Sequence, residues 1–344
     1  MQLETLEQFN ARIAEFAVKH KVTKGNCLRT DDTVVAGNIH PPSDSRQLAD
    51  SVRVLERTVQ RARHLSQALR TAVKETGTKL TRQTRNLARS IGENAKKKTE
   101  AAKEAGQQLY RALVDQTQAV IQQARQVLPQ LKKMKDKYAQ RLVSVFENFT
   151  PLAEQVIDQT ERRVLQQEQV PAQEKIVSIF EPHTDIICCG KETKPVEYGH
   201  KIWLAEVDGG IVCHYRILDG NPPDAQQWQP SLKAHKQLFH HPPQQASADR
   251  GVYSPDNQTF AQKMGVQRVI LPKPGYKSQS RKTLESRKWF VTGRRWHAGV
   301  EGRISVLKRA HGLERCLDRG ENGFHRWVGW GIIAGNLAVM GRAA

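Results

Sequence analysis

The sequence predicts an α/β protein: a mixed sheet flanked by helices, with a long helical insertion after the first strand. Three observations lead there. Short apolar, strand-like segments recur at residues 27–35, 201–207, 211–218, 245–249 and 267–271. The first is separated from the rest by residues 46–168, rich in Gln, Arg, Lys, Ala and Leu and nearly free of Gly and Pro. Beyond residue 218 the pattern alternates helix, strand, helix, strand, helix. Residues 1–45 would then hold a helix and the first strand, 46–168 the helical insertion, and 169–344 the remainder of the sheet-bearing domain.

Leu3, Leu6, Ile13 and Phe16 stand at helical spacing with acids between them. Cys27 to Val35 reads as a strand. Asn38-Ile-His-Pro-Pro-Ser-Asp44 must be a loop, because two prolines forbid regular structure there. In the insertion, Val52, Leu55, Val59, Ala62, Leu69 and Val73 keep a three-four spacing, as do Leu113, Val120, Ala124 and Val127. These are amphipathic helices, folded back on one another or paired with a partner, with breaks expected at Gly92 and Pro129. The run Lys96-Lys97-Lys98 is read as a solvated helix face.

Lys175 to Phe180 alternates like a strand, as do Lys201 to Val207 and Ile211 to Leu218. Asp208-Gly-Gly210 between the last two signals a hairpin, since glycine supplies the positive φ that a tight turn needs. Asn221-Pro-Pro223 ends the hairpin. A helix over 224–240, a strand from Gln245 to Asp249, a helix from Pro255 to Met264 and a strand from Gln267 to Leu271 follow. A basic helix over 297–315 and a last helix over 323–340 complete the chain.

The formal net charge of +19, from 54 Lys and Arg against 35 Asp and Glu, points to a polyanionic partner. The cysteines, Cys27, Cys188, Cys189, Cys213 and Cys316, are an odd and scattered set with no C-x-x-C pair. That argues against a disulfide framework or a zinc site and suits a reducing cytoplasm. His240-His241 before Pro242-Pro243 reads as a loop. The N-terminus lacks the basic flank and apolar run of a signal peptide. Val328 to Met340 is too short to span a bilayer, and no membrane association is expected.

Cutting a phosphodiester without a covalent protein intermediate needs an activated water and a stabilised leaving oxygen. Two divalent ions about 3.5–4 Å apart can supply both. Mg²⁺ takes hard oxygen ligands, so a few carboxylates must converge. Asp31 interrupts or ends the first strand, Asp249 ends a later one, and Glu301 sits at the expected start of the basic helix. Acids at neighbouring strand ends and on a facing helix can meet in space. Strand alternation points Asp31 and Asp32 to opposite faces, so only one of them can join the site. Lys308, two turns after Glu301, shares its face.

The segments Arg29-Thr-Asp-Asp-Thr-Val-Val35, Ala248-Asp-Arg-Gly-Val-Tyr253 and Gly299-Val-Glu-Gly-Arg-Ile-Ser-Val-Leu-Lys-Arg309 resemble the three acidic motifs of DDE transposases from bacterial insertion sequences. The nearest likeness is to the group called ISNCY, whose members also carry a helical region after the first acid. The tail from Gly323 to Gly341 resembles that group too. The resemblance implies an RNase H-like fold, Mg²⁺ or Mn²⁺ as two ions, and cleavage and joining of double-stranded DNA at element ends, with target DNA as a second partner. It implies Asp31, Asp249 and Glu301 as the metal-holding catalytic acids, favours Asp31 over Asp32, and places the family's lysine on Lys308. Where some relatives have a tyrosine and an arginine before the glutamate, this chain has Arg294 and His297, and Arg295 stands ready for the arginine's task. Relatives carry a helical segment ahead of the first acid, whereas 30 residues precede Asp31, so an N-terminally truncated copy is expected. Transposases commonly act as multimers, so a homo-oligomer is a further expectation.

Residues 281–309 hold nine bases against two acids, Glu285 and Glu301. Arg294, Arg295, Arg303, Lys308 and Arg309 are the candidate phosphate contacts there, with binding that weakens steeply with salt. Trp296 beside two arginines is a candidate for stacking on a base, whereas Trp327 and Trp330 are assigned to the core. The rival to a DNA-cutting enzyme is a non-enzymatic, basic, helix-rich DNA-binding protein. A metal nuclease without joining activity is a third class. The acids separate them, since a pure binder gains nothing from carboxylates amid its most basic surface.

Overall fold

A computed structural model describes residues 3–73, 79–97, 99–188 and 195–343. Lys98 and Cys189 lie outside the described residues. The chain divides into two compact units: one formed by residues 1–38 and 185–344, the other by residues 39–184.

The first unit carries the sheet. Helix α1 (Leu3–Lys19) leads to β1 (Cys27–Ala36); after the other unit come β2 (Asp185–Cys188), β3 (Val196–Val207) and β4 (Ile211–Leu218). Then follow α7 (Ala225–Phe239), β5 (Gln245–Ser247), α8 (Pro255–Lys263), β6 (Arg268–Ile270), α9 (Gln279–Ser286), α10 (Lys288–Ala310) and α11 (Glu321–Ala343). On one side of β1 lies antiparallel β3, which pairs in turn with β2 and β4. On the other side β5 and then β6 run parallel to β1. The β3–β4 turn works as expected: Gly209 and Gly210 have φ of 82° and 80°, a region that side chains rarely adopt.

Alternation along β1 gives the sheet two different faces. Leu28 belongs to an apolar cluster with Trp203, Trp228 and Leu232, beneath α7. Val35 points the other way, into a cluster with Leu307, Val328 and Ile332 of α10 and α11. Trp203 is fully buried and its indole N–H donates to Ser231 Oγ at 2.7 Å, so burying this large ring leaves no polar atom unsatisfied.

The second unit is helical: α2 (Asp44–Arg63), α3 (Gln67–Ala72), α4 (Lys79–Ala95), α5 (Glu100–Lys133) and α6 (Lys137–Thr160). The residues expected from their spacing do form its core, Val52, Leu55, Val59, Leu113 and Val120 among them, joined by Phe146. Side-chain caps start these helices: Ser43 for α2, Thr99 for α5 and Asp136 for α6 each accept a backbone N–H of the first turn.

Several elements differ from expectation. α4 continues through Gly92 and α5 through Pro129, which sits close enough to the helix end to spare the rest of the ladder. Residues 175–180 form no strand. Ile176 and Ile179 are buried in the helical core instead, and Val177 is buried beside them, so the segment packs as a loop without a strand's alternation. α10 begins at Lys288, well before residue 297, which puts Glu301 in mid-helix rather than at a helix start. Trp330 is 45% exposed and not a core residue. β2 and α9 have no counterpart among the elements that periodicity predicts. Among the described residues no helix is long and apolar enough to cross a membrane.

Candidate active site

The parallel pairing of β1 with β5 builds the site. Its last pair joins Arg29 to Ser247. Asp31 lies two residues further along β1, and Asp249 lies two residues beyond Ser247. Equal steps along parallel neighbours, about 4.8 Å apart, leave both carboxylates side by side on one face. That face looks towards α10. His297 of α10 reaches down to it, with Nε2 3.1 Å from Asp249 Oδ1 and Nδ1 3.4 Å from Ser247 Oγ.

The charges register this crowding. Burial pushes the Asp31 carboxyl up to about 7; the bond from Asp32 N–H pulls against it, and the neighbouring Asp249 and Asp32 raise it further. Asp249 is exposed, and its hydrogen bond with His297 holds its carboxyl below the ordinary value.

Asp32 lies on the opposite face, as strand alternation requires. There Lys201 Nζ stands 3.5 Å from Asp32 and 2.5 Å from Asp224. Burial first, then the nearby Asp224, raises the Asp32 carboxyl against the pull of Lys201. Burial alone would lower the Lys201 ammonium, but its two carboxylate partners outweigh that and leave it raised.

One clamp ties β1 to α10. Arg29 donates through Nε and Nη2 to both oxygens of buried Glu206, at 2.7 and 2.8 Å, and through Nη1 to the Trp296 carbonyl at 2.6 Å. Its guanidinium carbon sits 4.8 Å from the Trp296 ring centroid. Gly299 makes room for this, because a Cβ there would stand 2.5 Å from Arg29 Nη1. No local pattern in the sequence marks Arg29 or His297 as a site-builder; only the β1–β5 register, which is a tertiary fact, brings them to the acids.

Glu301 lies one helical turn past His297, about 40° further around the axis of α10, and is exposed. Among the described residues it makes no hydrogen bond or ion pair, and no three Asp, Glu, His or Cys side chains are gathered to hold a metal ion. Asp31 and Asp249 are thus together, with Glu301 set apart. Two hard carboxylates side by side suit a divalent cation, so the pair fits such an ion as two of its ligands.

Of the candidate DNA contacts, Arg294, Arg295 and Arg309 are exposed and Lys308 is partly so. Trp296 is partly buried, with one ring face covered by Arg29. Arg303 must be corrected. It is 8% exposed and donates to Asn336 Oδ1 at 3.1 Å, in a buried network in which Asn336 also bonds Asn10 and the Val212 backbone. Its position on the basic helix faces α11 and the core, away from any phosphate.

Residues 257–341 match the family model described as the transposase DDE domain. The match includes His297 and Glu301 and stops short of Asp31 and Asp249. It supports a DDE transposase, a class that uses divalent metals and acts on DNA. No curated protein matches the chain, and no solved structure does.

Proposed function

We propose that the chain is a DDE transposase of the ISNCY type, with an RNase H-like catalytic unit, that cleaves and joins double-stranded DNA at insertion-sequence ends. The observation that carries this reading is the pairing register that sets Asp31 beside Asp249 beneath the helix bearing Glu301. The family match over that helix and the mixed strand order support it independently. In this reading the helical unit, residues 39–184, is an insertion into a catalytic domain made of 1–38 and 185–344, working in the cytoplasm as a homo-oligomer.

Asp31 and Asp249 would hold Mg²⁺ or Mn²⁺, with Glu301 completing a set for two ions. Bound there, the metal supplies an activated water and a stabilised leaving oxygen. His297 orients Asp249 by holding one carboxylate oxygen, leaving the other open. Arg29 fixes the spacing of β1 and α10, so that an exposed Glu301 is presented from a rigid helix. Arg294, Arg295, Lys308 and Arg309 draw phosphate towards the acids by charge.

Cleavage of a labelled duplex made from the DNA flanking this coding sequence, with Mn²⁺, tests the reading. Asp249→Ala and Glu301→Gln should each lose at least a hundredfold in rate while still binding the duplex. Cutting by both variants at the parental rate refutes the assignment. Binding without metal-dependent cutting by the parent leaves the non-enzymatic DNA-binding protein as the better account.

A further inference from the structure

The helical unit carries a charged surface that the catalytic reading does not use. Along α4, Lys79, Arg82, Arg85 and Arg89 are all exposed, and Lys96 continues the row just past the helix end. At about 100° per residue, the four within the helix fall inside roughly a 120° arc. Leu80, Thr84, Leu87 and Ile91 lie on the opposite side, turned to the core. The row is therefore a solvent face that packing fully determines.

Several other bases of this unit are paired with acids. Arg125 pairs with Glu154 and Lys132 with Glu147, both at 2.7 Å across α5 and α6. Arg162 is surrounded by Asp158, Glu168 and Glu174, and Arg163 reaches Asp44. On α4, among the described residues, Arg89–Glu93 at 3.3 Å is the one ion pair.

We propose that this face of α4 is a binding surface for the phosphate backbone of duplex DNA, separate from the basic segment around α10. The choice of DNA rests on the transposase reading. The choice of a duplex rests on shape: a straight, stiff row of guanidinium forks suits a stiff rod of closely spaced phosphates, each able to take a bidentate fork. The lysines at residues 96–97 are then the end of a longer stripe, which the linear sequence conceals because two or three residues of other kinds separate successive arginines.

The test is binding of a fluorescent 30-base-pair duplex by the full chain in EDTA, across a salt series. The variant Arg82→Ala/Arg85→Ala/Arg89→Ala/Lys96→Ala should weaken binding at least tenfold at 0.1 M salt. It should also reduce the salt slope by about three to four, near one for each phosphate no longer neutralised. A control, Lys103→Ala/Arg125→Ala/Lys132→Ala, removes paired bases of α5 and should stay within twofold. Arg→Lys at 82, 85 and 89 should retain the slope. Equal losses in stripe and control variants overturn the proposal, as does a loss confined to heparin or single-stranded RNA. Circular dichroism confirms folding, since all substituted side chains are exposed. Cutting that survives Asp249→Ala would defeat the catalytic reading and leave this result standing.

Discussion

Asp249 stands two residues past Ser247 on β5, and Asp31 stands two residues past Arg29 on β1, with Arg29 and Ser247 paired across the two parallel strands. That equality puts two acids 218 positions apart in sequence on one face of the sheet. It supports Asp31 over Asp32 as the proposed site acid. Asp32 lies on the other face and is occupied with Lys201 and Asp224.

The burial of Asp31, with the neighbouring acids, predicts a cost to the metal-free fold. Its carboxyl is raised from 3.8 to about 7 in the folded chain. The folded state therefore binds the proton more tightly than the unfolded one, and this group's contribution is present below pH 4 and lost as pH rises through 7. Asp31→Asn removes the penalty. In EDTA, urea unfolding should show the variant more stable at pH 8 by on the order of 3 kcal/mol, with the gap closing near pH 4.

Two histidines act in the opposite direction over much of the same range. Burial lowers His235, and burial together with Arg216 lowers His214, each to about 4. The unfolded chain takes up these protons first, so their contribution is complete above pH 6.5 and is lost as pH falls towards 4. In the parent the Asp31 trend masks part of this loss. Asp31→Asn should therefore show a steeper rise of stability between pH 4 and 6.5 than the parent, visible in urea midpoints.

Arg29 predicts a coupling between stability and site geometry. Arg29→Ala leaves Glu206, 2% exposed at its side chain, charged and without its bidentate partner, at a cost of about 3–5 kcal/mol. Arg29→Met with Glu206→Leu should recover most of that stability in a double-mutant cycle. The pair of substitutions would still loosen α10, because the bond to the Trp296 carbonyl is gone, so cutting activity should not recover with stability.

Much of this architecture is legible in the sequence, and the failures have physical causes. The hairpin at Asp208–Gly210, the helical core positions from Val52 to Val127 and the start of β1 and of β5 follow from local chemistry: glycine conformation, three-four spacing, alternation. Ile176 and Ile179 mislead because a loop packed into a helical core carries the same apolar residue types as a strand. Arg303 misleads because composition counts bases without saying which way a helix turns. With Gly335 close enough to leave space for its guanidinium and Asn336 to accept from it, this arginine faces inward. His297 reads in sequence only as a departure from relatives; its bond to Asp249 is a product of the β1–β5–α10 packing.

In the proposed site Asp31 and Asp249 hold one divalent ion between them. Mn²⁺ binding, followed by loss of the free-ion electron paramagnetic resonance signal on titration into the full chain at pH 8 without DNA, tests this most directly. The parent should bind Mn²⁺ in a saturable way. Asp31→Asn and Asp249→Asn should each weaken that binding at least tenfold, and Asp32→Asn should leave it within twofold. Unchanged binding in the Asp31 and Asp249 variants, or a loss in Asp32→Asn alone, would contradict the account.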